Sequence, residues 1–463
     1  MEQSAQWVKD NEYEVHAARR RGRYPFLKFL FRYPIFLLAF GPPVFRSNAG
    51  IDATKGVIDV WSFFQVALLA AIAIRAMYRL ASAESILIPK QVRSILKLAF
   101  LLGLLFLASA IYSPSRFVSA AYSFLYFLGL ICMVEFIADV YKYPPDWIQC
   151  LFHLRLIALL LLGLTLLTLL FDPTLVLSIE DVAGIRLRGG AVAPVTVICP
   201  IIAIISAYSF LHGLESRGRS VLFLFVGLTS TLITQSRGAE LALLLTLAIV
   251  GAGWAGTGRR PAYFFISSFI ALMLSSALVL GVFGGDRIWY IFNRGESAEG
   301  IASASGRTPV WQFVYQYCLA HPQGMGYIVG FRMRLRETLA IGADSNLVYL
   351  GNAHNVYVQV LADAGWLALA IYILMLVRII LLGWRFVKKS PLVTLASISA
   401  PRHALGCAMI LLVYCCANAT EAADFSIPLK AQFYIQDIII AIILGISARM
   451  LVTARARYAA SYE

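Results

Sequence analysis

IQCLFHLRLIALLLLGLTLLTLLF, residues 148–171, runs for twenty-four residues with a single charge, Arg155, near its start. A helix rises about 1.5 Å per residue, so this stretch is long enough to cross a hydrocarbon layer of about 30 Å. Comparable apolar runs recur along the chain. Spans are predicted at 33–45, 57–74, 94–112, 117–137, 148–171, 191–211, 221–234, 239–255, 262–283, 355–383, 404–418 and 431–448, the first being the shortest. The 463 residues are 60% hydrophobic and 14% charged, which exceeds what one soluble core can bury. The expected fold is an all-α integral membrane protein of about twelve transmembrane helices.

The net charge of +14 reads as topology. A nucleic-acid binder gathers its basic residues on one soluble face, whereas here they fall between apolar spans, so nucleic acid is not an expected partner and the lipid bilayer is. Placing the amino terminus in the cytoplasm puts Arg75, Arg79, Lys90, Arg93, Lys97, Arg217, Arg219, Arg259, Arg260, Arg385, Lys388, Lys389, Arg402, Arg449, Arg455 and Arg457 on the inner side. That satisfies the positive-inside bias and leaves both termini cytoplasmic. The division is a basic amino-terminal segment 1–32, spans over 33–283, an outer loop 284–354, spans over 355–448 and a carboxy-terminal segment 449–463. Arg19 to Arg23 precede the first apolar run with no small-residue cleavage pattern after it, so that run is expected to be retained. Six of seven cysteines fall in or beside spans, and Cys318 alone belongs to the long loop, so neither a disulfide nor a metal site is expected.

The segment 284–354 is too long to be a mere connector. Thr308-Pro309 has the form of a helix start, and Trp311, Phe313, Val314, Tyr317 and Cys318 give a short apolar helix that stops before Pro322. Gly324-Met325-Gly326-Tyr327 then turns the chain, and Arg332, Arg334 and Arg336 make the second half of the loop basic. The glycines of this stretch have the wrong spacing for a dinucleotide fingerprint.

Four outer-side features stand together: Arg186-Leu187-Arg188-Gly189-Gly190 before the sixth span, Gln235-Ser236-Arg237-Gly238 between two spans, Ser305-Gly306-Arg307 before the loop helix, and Ala353-His354-Asn355 opening the tenth span. Taken singly, each has an ordinary reading, as a snorkelling arginine, a tight turn, a surface arginine and an interfacial histidine. In combination they are the parts for displacing a phosphate leaving group. Arginines and an exposed helix amino terminus stabilise the departing anion, and an imidazole accepts a proton from an incoming hydroxyl. On a continuous helix Gly365 falls on the His354 face, where it allows close packing. Of the ionisable residues inside spans, Glu135, Asp139, Arg155 and Arg378 lie near cytoplasmic ends where pairing or snorkelling suffices; Asp363 sits about two turns into the tenth span, and a helix contact is its expected role.

The chain resembles the O-antigen ligase and polymerase superfamily of bacterial envelope glycan assembly. The resemblance is carried by Arg188-Gly189, Ser236-Arg237-Gly238-Ala239, Gly306-Arg307 with Trp311, His321-Pro322 to Gly326-Tyr327, and His354-Asn355 followed after nine residues by Gly365. It is best from about 186 to 370. It implies a metal-independent, inverting glycosyltransferase of the bacterial inner membrane, needing no cofactor, with its site facing the periplasm. The donor would be an undecaprenyl-diphosphate-linked glycan. By that resemblance Arg237 and Arg307 hold the diphosphate, His354 activates the acceptor hydroxyl, and Arg186, Arg188, Trp311 and Asn355 contact substrate.

The acceptor divides the superfamily. A polymerase joins one lipid-linked glycan to another, with a chain-length regulator as a partner, and a ligase transfers the chain to a lipid A core or a protein. Ala368 stands where the ligase pattern prefers Gly, Thr or Tyr, which leans the reading toward a polymerase. A twelve-helix transporter or lipid-linked glycan flippase is the non-enzyme alternative. The long loop between spans nine and ten breaks the half-symmetry usual in that class.

Overall fold

The computed structural model describes residues 25–39, 60–82, 88–142, 147–171, 177–180, 184–187, 195–234, 236–255, 307–339, 353, 355–388, 396–418 and 431–460. The expected ninth span and the first part of the long loop lie outside them, as do Arg188 and His354. Two short helices come first, α1 (Phe26–Arg32) and α2 (Ile35–Leu38), separated by Tyr33 and Pro34. The break falls at the first two residues of the span expected at 33–45, where Pro34 has no N–H to continue a ladder from α1; residues 40–45 of that span lie outside the described residues. Then follow α3 (Val60–Ser82), α4 (Lys90–Ser109), α5 (Arg116–Lys142), α6 (Trp147–Phe171), α7 (Val195–His212), α8 (Arg217–Ile233) and α9 (Arg237–Ala255). After these come α10 (Arg307–Ala320), α11 (Val329–Leu339), α12 (Val356–Lys388), α13 (Ala396–Ala417) and α14 (Ala431–Ala460).

Among the described residues, α4, α5, α6, α7, α12 and α14 are long and apolar enough to cross a membrane, and α9 and α13 contain shorter apolar helices, so this is a multi-pass membrane protein. One element departs from the all-α expectation. A two-stranded antiparallel hairpin pairs β1 (Leu177–Glu180) with β2 (Gly184–Leu187), and Arg186 stands opposite Ser178 in its register. Strand alternation over four residues is too short a signal to stand out beside a long apolar span.

The helix bundle divides by its contacts. α7, buried on nearly all sides, packs against α6, α8, α9 and α13, while α5 packs against α3, α4 and α14. α12 lies against α4, α13 and α14, and α10 lies against α12. The turn from α4 to α5 and the start of α12 meet at one end, called here the Ser113 end. α5 finishes and α6 begins at the opposite, Arg155 end.

Charges inside the bundle are paired at the Arg155 end. Arg79 reaches both Glu135 and Asp139, and Arg32 lies 3.0 Å from Asp139. The buried Arg155 guanidinium grips Glu215 through both carboxylate oxygens, at 2.5 and 2.7 Å, and lies 4.5 Å from the Phe223 ring centre. Three of the ionisable residues noted in the sequence, Glu135, Asp139 and Arg155, are thus accounted for, with Asp363 at the other end. Paired, hydrogen-bonded charges are the form in which an interior tolerates them.

Candidate functional site at the Ser113 end

The short helix expected in the long loop is α10. Its buried residues Val310, Val314 and Cys318 recur at helical spacing and rest with Leu361 and Ala362 of α12 in a small apolar cluster of their own. Pro322 closes it, since proline cannot extend the ladder and disfavours helix before itself. The next residues, 321–328, are a compact loop whose glycines Gly324 and Gly326 take positive φ of 86° and 109°.

That loop docks on a break in α12. Ala364 and Gly365 leave the helical region, with Gly365 at φ 79° and ψ −171°, a conformation essentially reserved for glycine. The break strips intrahelical partners from nearby backbone groups, and the loop replaces them. Met325 N–H donates to the Ala362 carbonyl at 2.7 Å and Gly326 N–H to the Asp363 carbonyl at 3.1 Å, while Trp366 N–H donates to the Pro322 carbonyl at 3.1 Å. A Cβ on Gly365 would stand 1.9 Å from the Pro322 oxygen. Gly365 is therefore needed for a break and a close approach to a loop; the continuous-helix expectation that set it on one face with His354 does not hold.

The same loop is held from behind by α4 and α5. Tyr327 stacks on Phe106 with ring centres 4.0 Å apart and planes 8° from parallel. Its N–H donates to Ser109 Oγ at 3.0 Å, and its carbonyl accepts from Ser119 Oγ at 2.9 Å. Ile328 follows at φ 62°, a strained position for a β-branched residue. Its N–H donates to Asp363 Oδ1 at 2.9 Å. Asp363, fully buried, therefore anchors a strained loop backbone, a role that a helix contact alone did not anticipate.

From Asp363 the bonding continues toward the start of α12. Gln359 Nε2 donates to Asp363 Oδ1 at 2.8 Å, and Gln359 Oε1 accepts from Ala353 N–H at 3.0 Å. On the other side of Ala353, the Trp311 indole N–H donates to its carbonyl at 2.8 Å. Asn355 Oδ1 accepts from Tyr357 and Val358 N–H at 2.9 and 3.2 Å, the bonding of a helix N-cap. Trp311 and Asn355, both expected to touch substrate, are thus also the ties that fix the chain on either side of position 354. Gln359 and the serines of the α4–α5 turn were not picked out in the sequence; a buried amide one turn inside an apolar span was the available signal.

Of the expected arginines, Arg237 is the first residue of α9 and Arg307 the first of α10. The Ser236-Arg237-Gly238 stretch is a helix start as well as a turn, since Ala239 N–H lies 3.4 Å from Ser236 Oγ. A cation at a helix amino terminus adds to the positive end of the helix dipole, which favours a neighbouring anion. Their side chains lie outside what is described, as do Arg188, His354 and the Arg186 side chain. Burial pushes the Cys318 thiol up to about 12, with the Asp363 carboxylate adding to the effect, so at neutral pH it is not a thiolate nucleophile. Among the described residues no group of three or more His, Cys, Asp or Glu side chains is placed to hold a metal ion.

Residues 222–373 match the family model described as O-Antigen ligase. The matched segment runs from α8 into α12 and contains Arg237, Arg307, Trp311, His354, Asn355 and Gly365, but not Arg186 or Arg188. No curated protein matches the chain.

Proposed function

With residues 222–373 carrying the domain of the O-antigen ligase family, we propose that the chain is a metal-independent, inverting glycosyltransferase acting on an undecaprenyl-diphosphate-linked glycan at the periplasmic face of the bacterial inner membrane. The arrangement that supports this best is the tie between α10 and Ala353, which couples the helix opened by Arg307 to the residue preceding His354. The positive-inside assignment supports the sidedness, with the Ser113 end facing the periplasm, the paired charges facing the cytoplasm and twelve spans in all.

In this reading the acceptor hydroxyl attacks the anomeric carbon as the bond from that carbon to the diphosphate oxygen breaks, in one displacement that inverts the centre. His354 takes the hydroxyl proton. Arg237 and Arg307, each at a helix amino terminus, stabilise the charge arriving on the diphosphate, which leaves with its lipid. Arg186 and Arg188 extend the cationic surface toward the glycan. The test is purified protein in lipid supplied with a lipid-linked oligosaccharide. His354→Ala, Arg237→Ala and Arg307→Ala should each lower transfer by about a hundredfold or more while folding normally. Near-normal transfer by all three would overturn the proposal.

The acceptor is proposed to be a second lipid-linked glycan, making the enzyme a polymerase with a chain-length regulator as partner. Ala368 favours this over a lipid A core or protein acceptor. Electrophoresis of surface glycan from a deletion strain separates the two. Single repeat units indicate a polymerase, and long chains left on the carrier lipid indicate a ligase.

A further inference from the structure

Two described helices, α10 and α12, converge on one alanine. Ala353 is 1% exposed, and both of its backbone polar groups are taken by side chains, the N–H by Gln359 and the carbonyl by Trp311. Gln359 is also 1% exposed, and Asp363, which orients it, is 0% exposed. A helix start needs no such device, because Asn355 already caps α12. Burying a carboxylate and a primary amide carries a desolvation cost that a plain hydrophobic contact would avoid. Polar bonds, unlike apolar contacts, fix direction. Side chains in a helix lean toward its amino terminus, so Gln359 and Asp363, four residues apart on α12, stack into a line that points at Ala353. The far end of that line is Ile328 N–H in the loop wedged into the α12 break.

We propose that Gln359 and Asp363 are positioning residues for transfer, forming a hydrogen-bonded relay that locks the peptide leading into His354 to the 321–328 loop. This rests on the transfer reading and assigns that site two residues outside the set expected from its sequence. The relay acts through direction. Ile328 and Gln359 both donate to one carboxylate oxygen, so the amide of Gln359 has only one orientation in which its oxygen faces Ala353. Losing that orientation would let the residue before His354 shift, and small misplacements of a reacting group cost rate more than they cost binding.

The experiment compares Gln359→Leu, Gln359→Glu and the double change Gln359→Glu with Asp363→Asn, reading kcat and KM for the lipid-linked donor per folded molecule, alongside the thermal midpoint in detergent. Gln359→Leu should lower kcat roughly tenfold to a hundredfold with donor KM within about twofold of wild type. Gln359→Glu should do the same at alkaline pH, where the buried carboxylate pair at 359 and 363 loses the proton it otherwise shares and the two groups repel. The double change returns a donor between positions 359 and 363, with the amide at 363 donating and the carboxylate at 359 still accepting from Ala353. It should recover most of the lost kcat. If Gln359→Leu does not fold, the two Glu-bearing proteins carry the test. Wild-type kcat in Gln359→Leu, or at alkaline pH either wild-type kcat in Gln359→Glu or a double variant no faster than Gln359→Glu, overturns the relay while leaving the transfer reading standing. A wild-type protein that transfers nothing to any supplied glycan acceptor overturns both.

Discussion

The two ends of the bundle solve the problem of polar groups among apolar helices in opposite ways. At the Arg155 end charge answers charge: Arg79 with Glu135 and Asp139, Arg155 with Glu215. At the Ser113 end backbone answers backbone. The broken α12 and the 321–328 loop exchange N–H and C=O groups, with serine hydroxyls and the carboxylate of Asp363 filling in. The first arrangement consumes its charges internally, and the second builds its floor from backbone groups, hydroxyls and one carboxylate. If the Ser113 end holds the anionic donor proposed above, the second arrangement is the one that suits it.

The contrast can be broken most sharply at Gly365. Gly365→Ala forces a side chain into a glycine-only conformation and against the Pro322 carbonyl, so a loss of about 4 kcal/mol is expected from strain and overpacking together. Its thermal midpoint and its transfer activity should fall together. At the other end, Arg155→Leu leaves Glu215 buried without its partner and should cost about 3 kcal/mol. Here the folded fraction should transfer normally, and adding Glu215→Leu should recover much of the stability in the same melting experiment.

Trp311→Phe probes the seam between floor and site. It keeps the ring and removes the bond to Ala353, for an expected loss of about 1 kcal/mol. Unchanged donor KM in steady-state transfer would mark Trp311 as a tie, and a raised KM would restore it to substrate contact. The smallest effect belongs to Arg334→Ala in α11. Its exposed pair with Glu337 at 3.1 Å should be worth less than about 0.5 kcal/mol by thermal melting.

Six of the expected spans and the loop helix were legible because each is a local property. Residues 148–171 are apolar throughout, and α10 has its hydrophobic spacing and its stop at Pro322. The break in α12 was not. Residues 355–383 read as one continuous run, and what makes the interruption tolerable is a set of N–H and C=O groups about forty residues earlier in the chain. The glycine pair Gly324 and Gly326 was visible as a turn, but its docking site was not. Asp363 was given only a helix contact for the same reason, since its partner Ile328 is distant in sequence. Arg307 was legible beside the start of the loop helix, which it opens, and for Arg237, read in a turn between spans, the structure adds that it too opens a helix.

The interrupted α12 also bears on how the protein is made. A helix whose carbonyls at Ala362 and Asp363 lack partners is a poor guest for lipid, where each bare group costs several kcal/mol. The loop that supplies those partners precedes α12 in the chain, so synthesis delivers the Met325 and Gly326 N–H donors before the carbonyls that need them. The loop and the interrupted helix therefore complete each other, since the N–H groups of one satisfy carbonyls that the break in the other leaves bare.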